Sequence, residues 1–315
     1  MHDRNGEKEG ITVAPKYAVG LILTAALCYG TLATLTKLGL AHGLHVGQVN
    51  GVQFIVGAVL LWAAALRKRG LWQKPKLRAV LKLLAVGTLL GATSALYNAS
   101  IERVPASIAV VMLFQFVWIG VAYEWIFGRI APNGKTLLSI AISLVGALCA
   151  ADVFRGQLAD ISSTGIWLGL GAAFSYAGSL YTSGKVAVEV NAWLRAPLMA
   201  TGGLVLIMLL YPPGDLLAGA SWTGFWPLAI ILGLMGMFVP TLCLMFGTPS
   251  ISAGLTTVTG SAQLPISVLL AWAVYAEPVS GLQGFGVVLI LAGIAVAQWN
   301  GKLRDKRIPG VDSSD

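Results

Sequence analysis

Two stretches of this sequence repeat each other at a constant distance along the chain. Residues 97–146 and 246–293 each contain a short loop with a proline, a long apolar run with one central glutamine, and a last apolar run that carries a glycine. The central glutamines, Gln115 and Gln263, lie 148 positions apart. Such regular spacing indicates an internal duplication, so the chain is expected to fold as two similar halves.

The amino-acid composition indicates that these halves lie in a lipid bilayer. Hydrophobic residues make up 57% of the 315 residues and charged residues 11%, whereas soluble domains carry about 25% charged residues. A chain of this kind cannot cover a water-facing surface with polar groups. The net charge of +8 comes from loops and tails rather than from one basic face, so it reports membrane orientation and does not indicate nucleic-acid binding.

Ten apolar runs approach the length that crosses the hydrocarbon core, which takes about 20 residues of helix. Backbone groups inside lipid must bond within their own segment or in a closed barrel. The strands of a membrane barrel would alternate apolar and polar residues over about ten positions, whereas these runs are continuously apolar. The sequence therefore predicts an all-α integral membrane protein with ten transmembrane helices, near residues 17–41, 46–66, 80–98, 106–127, 135–153, 164–185, 192–211, 222–246, 252–274 and 283–300.

An odd number of helices in each half makes the second half enter the membrane from the opposite side. The prediction is two inverted five-helix repeats, over residues 17–153 and 164–300, between polar tails at 1–16 and 301–315. Lys and Arg concentrate in the tails and in the loop after the second run, which favours cytoplasmic termini and the inner membrane. Inverted repeats are typical of secondary transporters, which bind substrate near the membrane midplane.

The sequence contains no motif that would support catalysis or a bound metal. The patterns HExxH, GxSxG and GxxxxGK[ST] are absent. Cys28, Cys149 and Cys243 lie in apolar runs, where they are expected to be small buried residues. His42 and His45 share an outer loop but provide too few ligands for a metal site. We therefore expect a protein that is not an enzyme and that uses no cofactor.

Paired elements in the two halves carry a resemblance to a known family. A Pro-Ala-Ser segment at residues 105–107 precedes the glutamine-bearing run of the first half, and the corresponding run of the second half contains Pro265 and ends near Glu277. In these features and in its ten duplicated runs, the chain resembles the EamA-like family of the drug/metabolite transporter superfamily. It departs from the family pattern at Arg129, where the family has a Glu. The resemblance implies a transporter of small organic solutes.

Polar side chains inside a membrane are costly and often functional, so they provide the candidate substrate site. Thr256, Thr259 and Gln263 follow helical spacing along one stripe beside Pro265, which frees a backbone carbonyl. The alternative for these polar residues is close helix packing or a hydrogen bond between helices, and for the mid-run tyrosines it is core packing. The candidate substrate-binding residues are Tyr29, Met112, Gln115, Trp118, Tyr176, Thr256, Thr259 and Gln263.

A second group of residues is predicted to form a gate or to support the site. Tyr97 and Asn98 end the third run, where they either line an outer gate or cap the helix. Glu124 lies about one turn inside the fourth run, and an ion pair with Arg129 is favoured there over a proton relay. These secondary residues are Gln53, Tyr97, Asn98, Glu124 and Pro265.

The favoured hypothesis is a secondary transporter that moves a small organic metabolite or drug across the inner membrane by alternating access. Export of an amino-acid-like solute is favoured, mainly because the family resemblance implies it. An alternative is uptake of a quaternary amine such as choline, which requires several of Tyr29, Trp118, Tyr176 and Trp272 to converge on one pocket. A third alternative, a non-transporting scaffold or receptor, predicts no central cavity. The expected partners are a small-molecule substrate and the lipid bilayer, without nucleic acid, and proton coupling stays open. A monomer is expected because one chain holds both repeats, with a dimer as the alternative.

Overall fold

The computed structural model describes residues 13–68, 74–104, 106–150, 162–212, 214, 225–275 and 279–299. Most of both predicted tails, and Glu277, lie outside the described residues. Within the described residues every regular element is a helix. The α-helices are α1 (Pro15–Ala41), α2 (Val46–Arg67), α3 (Leu77–Ile101), α4 (Ala106–Phe114), α5 (Phe116–Gly128), α6 (Gly134–Ala150), α7 (Ser163–Ser183), α8 (Ala192–Leu210), α9 (Trp226–Gly233), α10 (Val239–Gly247), α11 (Ala253–Gly260), α12 (Gln263–Tyr275) and α13 (Gly281–Trp299).

The protein is a multi-pass membrane protein, and the part of the chain that the structure describes is all-helical. Two shorter apolar helices lie at Gly134–Ala150 and Gly281–Ala297, and α7, with 21 residues, is a further helix. Among the described residues, seven helical stretches are long and apolar enough to cross a membrane, namely Pro15–Ala41, Val46–Arg67, Leu77–Ile101, Ile108–Gly128, Ala192–Leu210, Trp226–Ser250 and Ala253–Val274.

Two predicted apolar runs are interrupted near their centres. The fourth run is divided at Gln115, where α4 ends at Phe114 and α5 begins at Phe116. The ninth run is divided between α11 and α12, one turn before Pro265, whose ring nitrogen has no proton to donate to the carbonyl of Ser261. The two halves therefore carry a helix break at corresponding positions.

A third interruption joins α9 to α10 through the π-helical turn Leu234–Phe238. Pro240, in the first turn of α10, cannot donate to the carbonyl of Gly236 four residues earlier. The side-chain amide of Gln53 on α2 donates to this carbonyl at 3.0 Å. Irregular backbone is tolerated inside the bundle here because a neighbouring helix satisfies the freed group.

Glycines allow helices of the two halves to approach closely. A Cβ added at Gly87 on α3 would lie 2.0 Å from the carbonyl oxygen of Met199 on α8. A Cβ added at Gly286 on α13 would lie 2.5 Å from the carbonyl oxygen of Gly146 on α6. Small residues at such crossings permit the van der Waals packing that holds helices together in lipid, where apolar side chains gain nothing by leaving the solvent.

Contacts between connections define two ends of the bundle. At one end, here called the α1–α2 loop end, the ring of His42 contacts Phe225 before α9, with centroids 5.8 Å apart. At the other, here called the opposite end, α7 ends at Ser183, whose hydroxyl donates to Thr248 Oγ1 after α10 at 3.3 Å. The chain path between these ends places the second half of α1 and the first turns of α2 near the α1–α2 loop end.

Candidate functional site

A cavity of about 480 Å³ lies between helices of the two halves. Its walls come from α1, α2, α3, α4 and α6 of the first half and from α7, α12 and α13 of the second, together with the π-helical turn. Six of the residues predicted from the sequence line it: Tyr29, Gln53, Tyr97, Asn98, Tyr176 and Gln263.

The cavity extends toward the α1–α2 loop end. Its α1 residues begin at Tyr29 and continue to Leu40, near the end of that helix, and its α3 residues run from Leu90 to Ile101. Among the described residues that line it, the polar groups are carboxamides, hydroxyls and the indole of Trp272, and none of these side chains carries a formal charge. A charged group without a counter-charge is costly to bury there.

Aromatic rings close the inner part of the cavity. Tyr29 and Tyr176, at matching positions in the two halves, meet edge to face with centroids 5.9 Å apart. Phe116 contacts Tyr176 at 4.8 Å and Phe114 at 5.6 Å between centroids. Phe114 and Phe116 are fully buried, so this layer separates the cavity from the opposite end.

The predicted stripe on the ninth run is divided by the helix break. Gln263, the first residue of α12, lines the cavity together with Ser267 one turn later. Thr256 and Thr259 belong to α11 and do not line it. Both are buried, and Thr256 Oγ1 donates to the carbonyl of Ser252 at 2.9 Å. A continuous helix would have kept these residues on one face, whereas the break gives the two segments separate orientations.

The predicted face of the fourth run also lies outside the cavity. Gln115 bonds locally, with Nε2 donating to the Val111 carbonyl at 3.0 Å and Oε1 accepting from Trp118 Nε1 at 2.8 Å. Trp118 is 38% exposed, and the backbone of Gly169 on α7 packs directly against Met112. These three residues therefore occupy the outer side of the helix and its contact with α7.

Comparison with known proteins identifies the architecture. The family model of the EamA-like transporter family matches residues 16–151 and 163–298, one copy for each half. The chain belongs to this family. The two matches cover most of the sequence. Membership of this family makes the protein a membrane transporter of small solutes.

Solved structures share the fold of this EamA-like transporter. One crystal structure matches with a TM-score of 0.75 at 18% sequence identity, covering 90% of this chain and 98% of the other. Identity this low supports a shared fold alone. No curated protein matches the sequence. Among the described residues, no group of three or more His, Cys, Asp or Glu side chains is placed to hold a metal ion.

Glu124 of this EamA-like transporter links the two halves at the opposite end. Its buried carboxylate accepts hydrogen bonds from the backbone N–H groups of Ala253, at 3.3 Å, and Gly254, at 2.7 Å. The favoured pair with Arg129 is therefore replaced by a contact with the N-terminus of α11, whose free N–H groups attract a carboxylate. Arg129 is exposed and ends α5 in a left-handed conformation with φ 54°.

The secondary residues occupy different positions around the cavity. Gln53 and Asn98 line the cavity and bond to neighbouring helices, which fixes their side chains. Tyr97 lines it near the end of α3. Pro265 is buried outside the lining, in the turn of α12 where α1 passes close. A Cβ added at Gly30 of α1 would lie 2.7 Å from the carbonyl oxygen of Gln263.

Asn50 and Ser94 are among the polar lining residues that the sequence-based candidates did not include. Ser94 Oγ donates to Asn50 Oδ1 at 2.7 Å. A signal was available, because Asn50 precedes Gln53 by three positions and Ser94 precedes Asn98 by four, which places each pair on one helix face.

Proposed function

We propose that this EamA-like transporter is a secondary transporter which moves a small organic solute of no net charge by alternating access. The observation that carries the proposal is the cavity of about 480 Å³ between the two halves, directed toward one end of the bundle. A site between repeats suits a mechanism in which one repeat moves against the other while the solute stays near the midplane.

The proposal includes ten membrane crossings in two inverted repeats. Its support is that contacts between the halves occur in matched pairs. The third helix of the first half, α3, packs on the second helix of the second half, α8, through Gly87 and Met199. In the reciprocal contact, the second helix of the first half, α2, packs on α9, which begins the third run of the second half. A Cβ at Gly57 of α2 would lie 3.2 Å from the Gly233 carbonyl of α9. The Lys and Arg distribution favours cytoplasmic termini in the inner membrane, and the cavity would then be directed outward.

The proposed substrate is amino-acid-like, and the proposed direction is export. The uncharged lining supports a solute without net charge, such as a zwitterion or an amide. Export and the amino-acid class rest on the resemblance to the family. A proton-coupled mechanism would need a titratable group in the cavity, and the described lining offers no carboxylate or histidine.

Quaternary amine uptake is the second candidate. Tyr29, Tyr176 and Trp272 line the cavity, whereas Trp118 lies outside it. Tyr29 and Tyr176 meet edge to face, with centroids 5.9 Å apart, so the edge of one ring covers a face of the other that a cation would otherwise contact. A scaffold without transport predicted a filled centre, which the cavity disfavours.

The test uses the purified full-length protein in two steps. A thermal-shift screen with amino acids, amino-acid amides and choline selects solutes that raise the unfolding temperature. Labelled hits are then followed in liposomes, where protein-dependent movement of a net-neutral solute is expected. Stabilisation by choline alone would favour the second candidate. If no hit crosses protein-containing liposomes faster than empty ones, the transport proposal is wrong.

A further inference from the structure

A polar cluster on the cavity wall joins α2 to α3. Asn50 accepts through Oδ1 two hydrogen bonds, from Ser94 Oγ at 2.7 Å and from Asn98 Nδ2 at 2.8 Å. Ser94 and Asn98 lie one helical turn apart on α3, so both reach the same oxygen. All three residues line the cavity, and the two bonds hold the Asn50 amide in one orientation.

This orientation leaves the nitrogen of Asn50 available. Asn50 is only 1% exposed, and among the described residues its Nδ2 has no hydrogen-bond partner. An amide nitrogen carries two N–H donors, and a buried donor without a partner is unfavourable. Because Oδ1 is held by donors from α3, Nδ2 is the atom of Asn50 that a bound solute can satisfy.

An acceptor lies one turn further along the same face of α2. Gln53 donates through Nε2 to the Gly236 carbonyl, which leaves its Oε1 as an acceptor on the cavity wall. Residues three apart on a helix are neighbours on its surface. The wall of α2 thus offers a donor and an acceptor side by side, each fixed by a bond to another helix.

We propose that Asn50 and Gln53 form a subsite that binds an uncharged carboxamide group of the solute. Asn50 donates to the carbonyl oxygen of that group, and Gln53 accepts from its N–H. A carboxylate would fit the donor, but it would repel the oxygen of Gln53 and meet no cation among the described lining residues. This inference rests on the proposed function and narrows its substrate to solutes that carry an amide.

Three probes that share a phenyl group compare the possible polar groups of the solute. Benzamide carries an amide, benzoate a carboxylate and benzyltrimethylammonium a quaternary amine. Their dissociation constants are measured on the purified full-length protein by calorimetry. Benzamide should bind more tightly than the other two. Asn50→Asp keeps an oxygen for Ser94 and Asn98 but replaces the donor, so benzamide should bind about tenfold more weakly, while benzyltrimethylammonium should bind no more weakly than before.

Thr88→Val is the matched control. Thr88 lies on α3 outside the cavity lining, and its hydroxyl donates to the Ala85 carbonyl at 2.7 Å, so benzamide affinity should stay within about twofold. If Asn50→Asp does not fold, Asn50→Ser takes its place, since it keeps an acceptor but is too short to reach the solute.

The subsite proposal is overturned if benzamide binds the wild-type protein no better than benzoate, or if the Asn50 variant leaves benzamide affinity unchanged. Transport has a separate test, because it fails only when no solute moves across liposomes. If Gln263→Ala weakens the binding of a transported solute while the Asn50 variant leaves that binding unchanged, the cavity functions without this subsite.

Discussion

Gln115 and Gln263 hold equivalent positions in the two halves but different surroundings. Both bonding groups of Gln115 are used within its own run, by Val111 of α4 and Trp118 of α5. Gln263 lines the cavity, and among the described residues its side-chain amide has no hydrogen-bond partner. A free carboxamide on a cavity wall can bond a solute in either direction, whereas a locally bonded one contributes mainly to its own helix.

This difference predicts unequal effects of the same substitution. Gln263→Ala should weaken binding of a transported solute about tenfold, since one hydrogen bond between protein and solute is lost. Gln115→Ala should change the dissociation constant less than about twofold. Calorimetric titration of both variants with the best thermal-shift hit checks the prediction. Equal losses in the two variants would show that the cavity lining does not decide affinity.

At the scale of elements, α6 and α13 form a close crossing between the halves. A Cβ added at Gly286 would lie 2.3 Å from the backbone nitrogen of Ala150 and 2.5 Å from the carbonyl oxygen of Gly146. Backbone atoms cannot rotate away as a side chain can, so the helices would have to separate. A Cβ added at Gly284, two residues earlier on α13, would have no neighbouring atom within 4 Å among the described residues.

Gly286→Ala is therefore expected to destabilise the protein by about 1–3 kcal/mol, the usual result of overpacking. Gly284→Ala should stay within about 0.5 kcal/mol of the wild type. The measurement is the thermal unfolding temperature of each variant in the same detergent. A Gly286→Ala protein as stable as the Gly284→Ala protein would mean that the crossing is looser than these distances indicate.

At the scale of the whole molecule, the cavity reaches toward one end while buried contacts close the other. Arg195 donates to the carbonyl of Ser183, and Ser183 bonds to Thr248. Glu124 adds a link between α5 and the start of α11. Arg195, Ser183 and Thr248 all belong to the second half, whereas Glu124 joins the two halves. The proposed alternating access therefore requires the Glu124 link to separate as the α1–α2 loop end closes, and the opposite end should act as the second gate.

Thiol labelling distinguishes the two ends. In a protein whose three cysteines are replaced by Ala, Thr36→Cys in the cavity should react with a polar maleimide at least about tenfold faster than Ser183→Cys. Adding Glu124→Leu should raise the labelling of Ser183→Cys, because α11 loses an acceptor for two N–H groups. Glu102→Leu, at the α1–α2 loop end, is the control and should leave this rate unchanged. Equal initial rates at the two cysteines would contradict a closed opposite end.

The sequence alone determined the class of fold, the duplication and the family, which the family match confirms over both halves. Lipid forces backbone hydrogen bonds to stay within each segment, so spans can be recognised from hydropathy. Pro265 likewise indicated a missing backbone hydrogen bond in the ninth run. The choice between Gln263 and Gln115, the position of the α11 threonines and the partner of Glu124 were decided only by the tertiary structure. Apolar side chains suit lipid and protein neighbours equally well, so the sequence gives little information about the rotation of each helix, and that rotation determines which polar groups meet in the cavity.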